Sequence, residues 1–219
     1  MSQQLKSALI AAGTAAMLVA GTASADGARY EVTITNLTRG TLLTPVLVVS
    51  HAPGVHMFAV GEAASEELAQ LAEGGATQPL QDALMATGKV HDAATTGPIP
   101  AGESVTVELG ATHNARYLSL ASMMLPTNDG FIALNGVNVS GWGKTQVFHS
   151  PGYDAGSELN DEACVNIPGP HCGGEGYNAA GGEGYVHIHA GLHGIGDLIA
   201  ADHDWRNPVA EISVKRVRN

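Results

Sequence analysis

Positive charge is scarce in this sequence: 10 Lys+Arg stand against 21 Asp+Glu, a formal net charge of -11 with the histidines neutral. A chain so acidic repels a phosphate backbone on average and has no basic stripe to offset that, which excludes nucleic acid as a partner. Aromatic residues make up 5% and charged residues 14% of the 219, while 44% are hydrophobic, a balance that fits one globular domain and not disorder. Outside the N-terminal segment no apolar run reaches the roughly 18–20 residues that cross a bilayer, so no transmembrane segment is expected in the mature chain. Catalytic signatures are missing as well: there is no Gly-x-Ser-x-Gly, no His-Glu-x-x-His and no Gly-rich loop followed by Lys-Ser/Thr. The chain is therefore expected not to be an enzyme.

What is present begins with a leader. Residues 1–25 read as a signal peptide, with Lys6 as the positive region, a small-residue apolar core over 8–20 and Ala23-Ser24-Ala25 as the cleavage site. That places the mature domain at 26–219, periplasmic or secreted. Cys164 and Cys172, the only two cysteines, enclose a short Val-Asn-Ile-Pro-Gly-Pro-His loop, and an exported pair so close is expected to form a disulfide. The rival, a thiolate metal site with His171, would have only three ligands.

The pattern is mostly that of strands. Residues 30–35 alternate apolar with polar, and 42–49 form a β-branched run in which Pro45 argues for an edge or a bulge. Further strands are expected at 104–109, 116–124, 131–134, 144–148, 184–189 and 209–217, separated by turn formers. Apolar residues at helical spacing predict helices over 63–71 and 79–85, the first with Ser65 as N-cap. Residues 173–184 are glycine-rich and carry Gly-Gly-Glu-Gly-Tyr twice, which suits a long loop. The expected fold is all-β, an antiparallel β-sandwich of about eight strands with one or two short helices and long loops.

Two constellations carry chemistry. In the first, Pro126-Thr127-Asn128-Asp129-Gly130 lies between two expected strands and Tyr153-Asp154-Ala155-Gly156-Ser157-Glu158 opens the next loop. Loops at one tip of a sandwich can gather such carboxylates around a hard cation, yet Asp-Gly and Asp-x-Gly are also ordinary turn chemistry, so spacing leaves both readings open.

These residues also carry a family resemblance. Residues 118–129, then 131–134, then 153–158 resemble the spondin N-terminal domain, as do 30–36, 61–65 and Asn207-Pro208-Val209-Ala210 before the last strand. The histidine-rich 186–194 and Asp204-Trp205-Arg206-Asn207-Pro208 are similar to its bacterial branch. The resemblance implies a C2-like β-sandwich with one structural Ca²⁺, carried over to Asp129, Asp154 and Glu158, in a module that binds an extracellular or periplasmic protein or surface ligand. Two departures stand out. Glu158 replaces an aspartate usual in animal members, and Gly130 an aromatic residue.

The second constellation is histidine. His187 and His189, at i and i+2 of an expected strand, share a face, and His193, His203, His51, His56 and Met57 are candidates to join them in an alternative Cu or Zn²⁺ site. The alternative to that site is a set of neutral histidines bonded to backbone carbonyls. Gly181 and His187-Ile188-His189 also open like a cupin motif, but His193 stands where that motif has Glu. Trp205 is expected to plug the core rather than face a ligand.

Overall fold

The computed structural model describes residues 27–179 and 181–218, together with a two-residue strand β1 (Leu18–Val19). Apart from that strand, the expected leader lies outside the described residues.

Alternation near the start of the domain becomes β2 (Ala28–Asn36), which buries every second side chain, Tyr30, Val32 and Ile34 completely. Pairing extends it into a five-stranded sheet ordered β1, β6 (Ser104–Gly110), β2, β12 (Ala210–Arg218), β9 (Thr145–Ser150). One face of this sheet meets a second sheet of seven strands: β11 (His187–Ile188), β10 (Gly152–Asp154), β8 (Gly130–Asn138), β7 (Tyr117–Leu125), β4 (Leu47–His51) and β5 (Val90–Thr95), with β3 (Leu42–Leu43) beside β7.

The middle of the second sheet is buried on both faces, which explains its near-continuous apolar runs. Val48, Leu118, Leu120 and Ile132 face the first sheet, whereas Leu47, Val49, Ala121, Phe131 and Ala133 face two helices. Those helices, α1 (Glu66–Gly74) and α2 (Thr77–Ala86), add a third layer. Ser65 caps α1 by accepting from the Leu68 N–H at 3.2 Å, Glu66 and Glu67 complement the positive end of its dipole, and Leu68, Leu71 and Ala72 form the buried stripe. Gly75 ends it in the left-handed region, φ 68°.

The sandwich is confirmed, with corrections to its count. Among the described residues twelve strands form where about eight were expected, and two further short helices, α3 (Gly169–Cys172) and α4 (Ala200–His203), add to the two foreseen. Strands of two or three residues are too short to show a period, and β5 is a half-buried edge of small and polar residues with no alternation. The run 42–49 breaks at Thr44-Pro45-Val46, because Pro45 has no N–H for a ladder; of 184–189 only His187 and Ile188 pair. No helix among the described residues is long and apolar enough to cross a membrane.

Cys164 and Cys172 are joined, S–S 2.05 Å, over a 3₁₀ turn and α3. The bridge ties a loop, not the sandwich. Reduction is expected to lower stability by at most about 2–3 kcal/mol on the chain-entropy account, read as a small drop in Tm with dithiothreitol while the β-sheet circular dichroism persists.

Candidate metal centre

Strand pairing brings the acidic residues together. β10 runs antiparallel to β8, with Asp154 opposite Gly130, so Asp154 lies beside the turn that carries Asp129, and both side chains are fully buried. Thr127 shapes that turn by accepting from the Gly130 N–H at 3.0 Å. Asp129 Oδ2 accepts the backbone N–H groups of Ser157 (2.8 Å) and Glu158 (3.1 Å), but its Oδ1 is buried with no partner. Burial, and next the charge of Asp154, push the Asp129 carboxyl up to about 8; Glu183 adds to the rise and the two N–H bonds oppose it.

Asp154 is the hub. Its Oδ1 accepts the Gly156 N–H at 2.8 Å and its Oδ2 the Asn160 amide at 2.7 Å. The second Gly-Gly-Glu-Gly-Tyr copy brings Glu183, whose Oε1 touches the same Asn160 amide at 3.5 Å, and β11 brings His187. One ligand atom each from Asp154, Glu183 and His187 lie within 4.8 Å of one another. A tetrahedral ion with ligands at about 2.0–2.2 Å holds them roughly 3.4 Å apart, so side-chain shifts of about an ångström close the group. The cluster can therefore hold a divalent cation.

The two strand histidines differ in what they offer. His187 Nδ1 donates to the Ile188 carbonyl at 3.0 Å, and its Nε2, the nitrogen this leaves for a metal ion, is buried without a hydrogen-bond partner 3.4 Å from Asp154 Oδ1. His189 has the opposite tautomer. Its Nδ1 accepts the Gly191 N–H at 3.0 Å, so the proton sits on Nε2, 4.0 Å from Asp154 Oδ2. Burial lowers the His189 pKa, Asp154 opposing, and its Nε2 is buried without a hydrogen-bond partner. Its ring packs edge-on against Trp205, which is buried in the core as expected, at 5.0 Å.

Gly130 has a reason to be glycine. A Cβ there would lie 2.6 Å from Thr127 Oγ1 and 3.0 Å from the His189 ring, so His189 and a side chain at 130 exclude each other. Gly156 is more constrained still, since its φ is 65° and a Cβ would lie 2.3 Å from the Tyr185 carbonyl oxygen. Gly156→Ala is expected to cost at least about 2 kcal/mol in urea unfolding and to weaken ion binding, because Tyr185 lies between Glu183 and His187.

The other expected ligands lie elsewhere. Glu158 places its backbone N–H on Asp129 but turns its carboxylate to Asn178, Oε1 accepting the amide at 2.8 Å. His51 sits at the far end of β4, paired with Tyr117 at the opposite end of β7 from Leu125; both ring nitrogens are used, on the Ala52 carbonyl (2.8 Å) and the Ser119 hydroxyl (2.9 Å). His56 is exposed beside Gly136, and Met57 is buried in the helix-side core. His203 Nδ1 bonds the Gly40 carbonyl at 2.9 Å, and His193 is exposed, its backbone N–H on Glu162. Glu183 was not anticipated. The available signal was an acid repeated within a glycine-rich loop, four residues before His187.

A family model described as Spondin_N matches residues 37–161, more than half of the chain. The chain belongs to the spondin N-terminal domain family. No curated protein matches it. Spondin domains are structural and binding modules, and this one carries an Asp/Glu/His cluster that could coordinate a divalent ion. The spondin match includes Asp129, Asp154 and Glu158 and stops before Glu183 and His187, so the imidazole and the second carboxylate of the cluster come from outside it.

Proposed function

We propose that this protein is an exported spondin domain, C2-like as its family resemblance implies, that binds a protein or surface ligand outside the cytoplasm. One borderline divalent ion, Zn²⁺ or Cu²⁺, sits on Asp154, Glu183 and His187 with Asp129 behind them. The observation that carries this is the convergence of one ligand atom each from Asp154, Glu183 and His187 to within 4.8 Å of one another, with His187 Nε2 buried and without a hydrogen-bond partner 3.4 Å from Asp154 Oδ1. An ion bound there would be ligated by the imidazole and both carboxylates at once. Imidazole with carboxylates suits Zn²⁺ or Cu²⁺ better than Ca²⁺, which prefers six to eight oxygens.

The ion would fasten β10, β11 and the glycine-rich loop at one tip of the sandwich. Exposed Tyr185, Ile188 and Leu159 around it give a partner apolar contact. A second reading keeps the Ca²⁺ of the family at Asp129 and Asp154, favoured by the unpartnered Asp129 Oδ1. Calorimetric titration with each metal decides between them. The first reading expects one Zn²⁺ or Cu²⁺ per chain, weakened at least tenfold by His187→Ala. Ca²⁺ binding that is indifferent to His187→Ala but lost in Asp129→Asn supports the second reading and sinks the first.

A further inference from the structure

Asp129 and Asp154 lie at the tip where β7 ends and β8 begins, whereas the first residues of β2 and β7 and the last of β12 lie at the opposite end of the sandwich. There the fold gathers positive charge that the sequence scatters: Arg116 precedes β7, Lys144 precedes β9, and Lys215, Arg216 and Arg218 end β12. The chain has 21 acidic residues, yet among the described residues no carboxylate forms an ion pair with any of these five. Arg216 is 7% exposed; its Nη2 donates to the Thr112 carbonyl at 3.1 Å, and its Nε is buried without a partner. Aromatic faces carry its charge instead, with Cζ 4.2 Å from the centre of the Trp142 ring and 5.8 Å from that of Tyr30. Arg116 and Arg216 both oppose the rise that burial gives the Tyr30 pKa, so the two guanidinium groups lie about one ring. Arg218 covers the same Trp142 ring at 5.1 Å, and that indole is 47% exposed. The outcome is an exposed aromatic ring flanked by unpaired positive charge.

We propose that this basic end docks head to tail onto the acidic tip of a second copy of the chain, with Trp142 entering the groove lined by Leu159, Asp161 and Glu175. Charge complementarity selects that occupant. The opposite tip exposes Asp161, Glu175, Glu183 and Asp197, and its groove of about 350 Å³ combines two of those acids with the exposed Leu159. Exposed Val165 adjoins it, held beside Glu175 by the Glu175 N–H on its carbonyl at 2.8 Å. Knob and groove thus match twice, apolar against apolar and cation against acid. They lie at opposite ends of the sandwich, so a single chain cannot bring its own pair together, and the contact between copies is heterologous and open to repetition. The net charge of -11 repels copies at long range, but salt screens that repulsion beyond about 8 Å and leaves the local pairing to decide. A knob of this size buries little surface, which sets a weak, reversible association. The proposal shares with the function proposed above only the partner-facing Leu159 and requires no ion on Asp154, Glu183 and His187.

The test is sedimentation velocity of the full chain in chelator over roughly 10–500 µM, the range of a weak contact, at low and at high salt. Expected is an average mass that rises above the monomer with concentration at low salt, and association at least tenfold weaker at high salt. Trp142→Ala, Arg218→Glu and Glu175→Lys are each expected to weaken self-association at least tenfold. All three side chains are exposed, and circular dichroism establishes that each variant is folded. The mixture of two variants is decisive. Arg218→Glu keeps its groove and Glu175→Lys keeps its basic end, so together they form a dimer that grows no further. A wild type that stays monomeric throughout overturns the proposal and leaves the basic end to an anion from another source. Association that survives Trp142→Ala and Arg218→Glu overturns it by placing the contact elsewhere, and a mixture that stays monomeric overturns the head-to-tail geometry. His187→Ala leaves association unchanged whatever it does to Zn²⁺ binding, so this proposal and the metal reading fail independently.

Discussion

Stripped of divalent ions, the protein is expected to lose stability as the pH rises from about 4 to about 8. Asp129 is the cause: burial and the Asp154 charge lift its carboxyl from an ordinary 3.8 to about 8. Between those values the folded chain keeps a proton that the unfolded chain has released. The stability from that proton is complete below pH 3.8 and drains away as the pH climbs through the folded value. Glu158, raised to about 7 by burial, acts in the same direction over a narrower range. A tenfold change in proton affinity is worth about 1.4 kcal/mol, so the rise of Asp129 alone sets an upper limit of about 6 kcal/mol on its share of the loss, or roughly 12–24 °C in Tm for a domain of this size. Saturating ion should flatten or reverse the trend, since it binds the deprotonated ligands and must compete with protons at low pH. Thermal scans at pH 5 and pH 8, with and without chelator, check this. An apo protein more stable at pH 8 would contradict it.

Phe131→Ala should produce the largest loss from a single side chain, about 3–5 kcal/mol in urea unfolding. Phe131 is fully buried between the second sheet and the helices, with Phe58 edge-on at 5.3 Å and Tyr153 stacked at 5.5 Å. Little can move into the space. Leu47, Val49, Leu68, Leu71 and Ala133 belong to the same packed layer, and α1 is held by its Ser65 cap and its Gly75 terminus. The loss should also reach the ion, because Phe131 and Tyr153 are strand neighbours of Gly130 and Asp154, directly paired across β8 and β10. Weaker ion binding in Phe131→Leu, which keeps most of the volume, would show that the ring orientation, beyond filling the core, positions the site. A Phe131→Ala cost below about 1 kcal/mol would mean that this layer is far looser than its burial indicates.

How much of this was legible in the sequence follows from the length of each pattern. The nine-residue strands β2, β7, β8 and β12 showed themselves through alternation or continuous apolar character, and Ser65 before two glutamates marked the start of α1 within a few residues. The disulfide was readable because the spacing left the cysteines little else to do. Asp129 and Asp154 were readable as a pair through turn chemistry and family resemblance. Glu183, by contrast, sits in a glycine-rich segment without periodicity, and its approach depends on backbone contacts such as Gly182 against Glu158. The separate roles of His187 and His189 were beyond reach, because i and i+2 spacing places both rings on one face and says nothing of the Ile188 carbonyl or the Gly191 N–H that set their tautomers. Glu158 turned away because Asn178, twenty residues further along, supplied its amide, a tertiary contact with no local signal.

The most direct test is zinc K-edge X-ray absorption on Zn²⁺-loaded wild type and His187→Ala, with the metal content of each measured. The account predicts one Zn²⁺ per wild-type chain in a mixed shell of carboxylate oxygens and a single imidazole, and loss of the imidazole scattering in the variant. A shell identical in the two proteins, or no Zn²⁺ retained by the wild type, would contradict it.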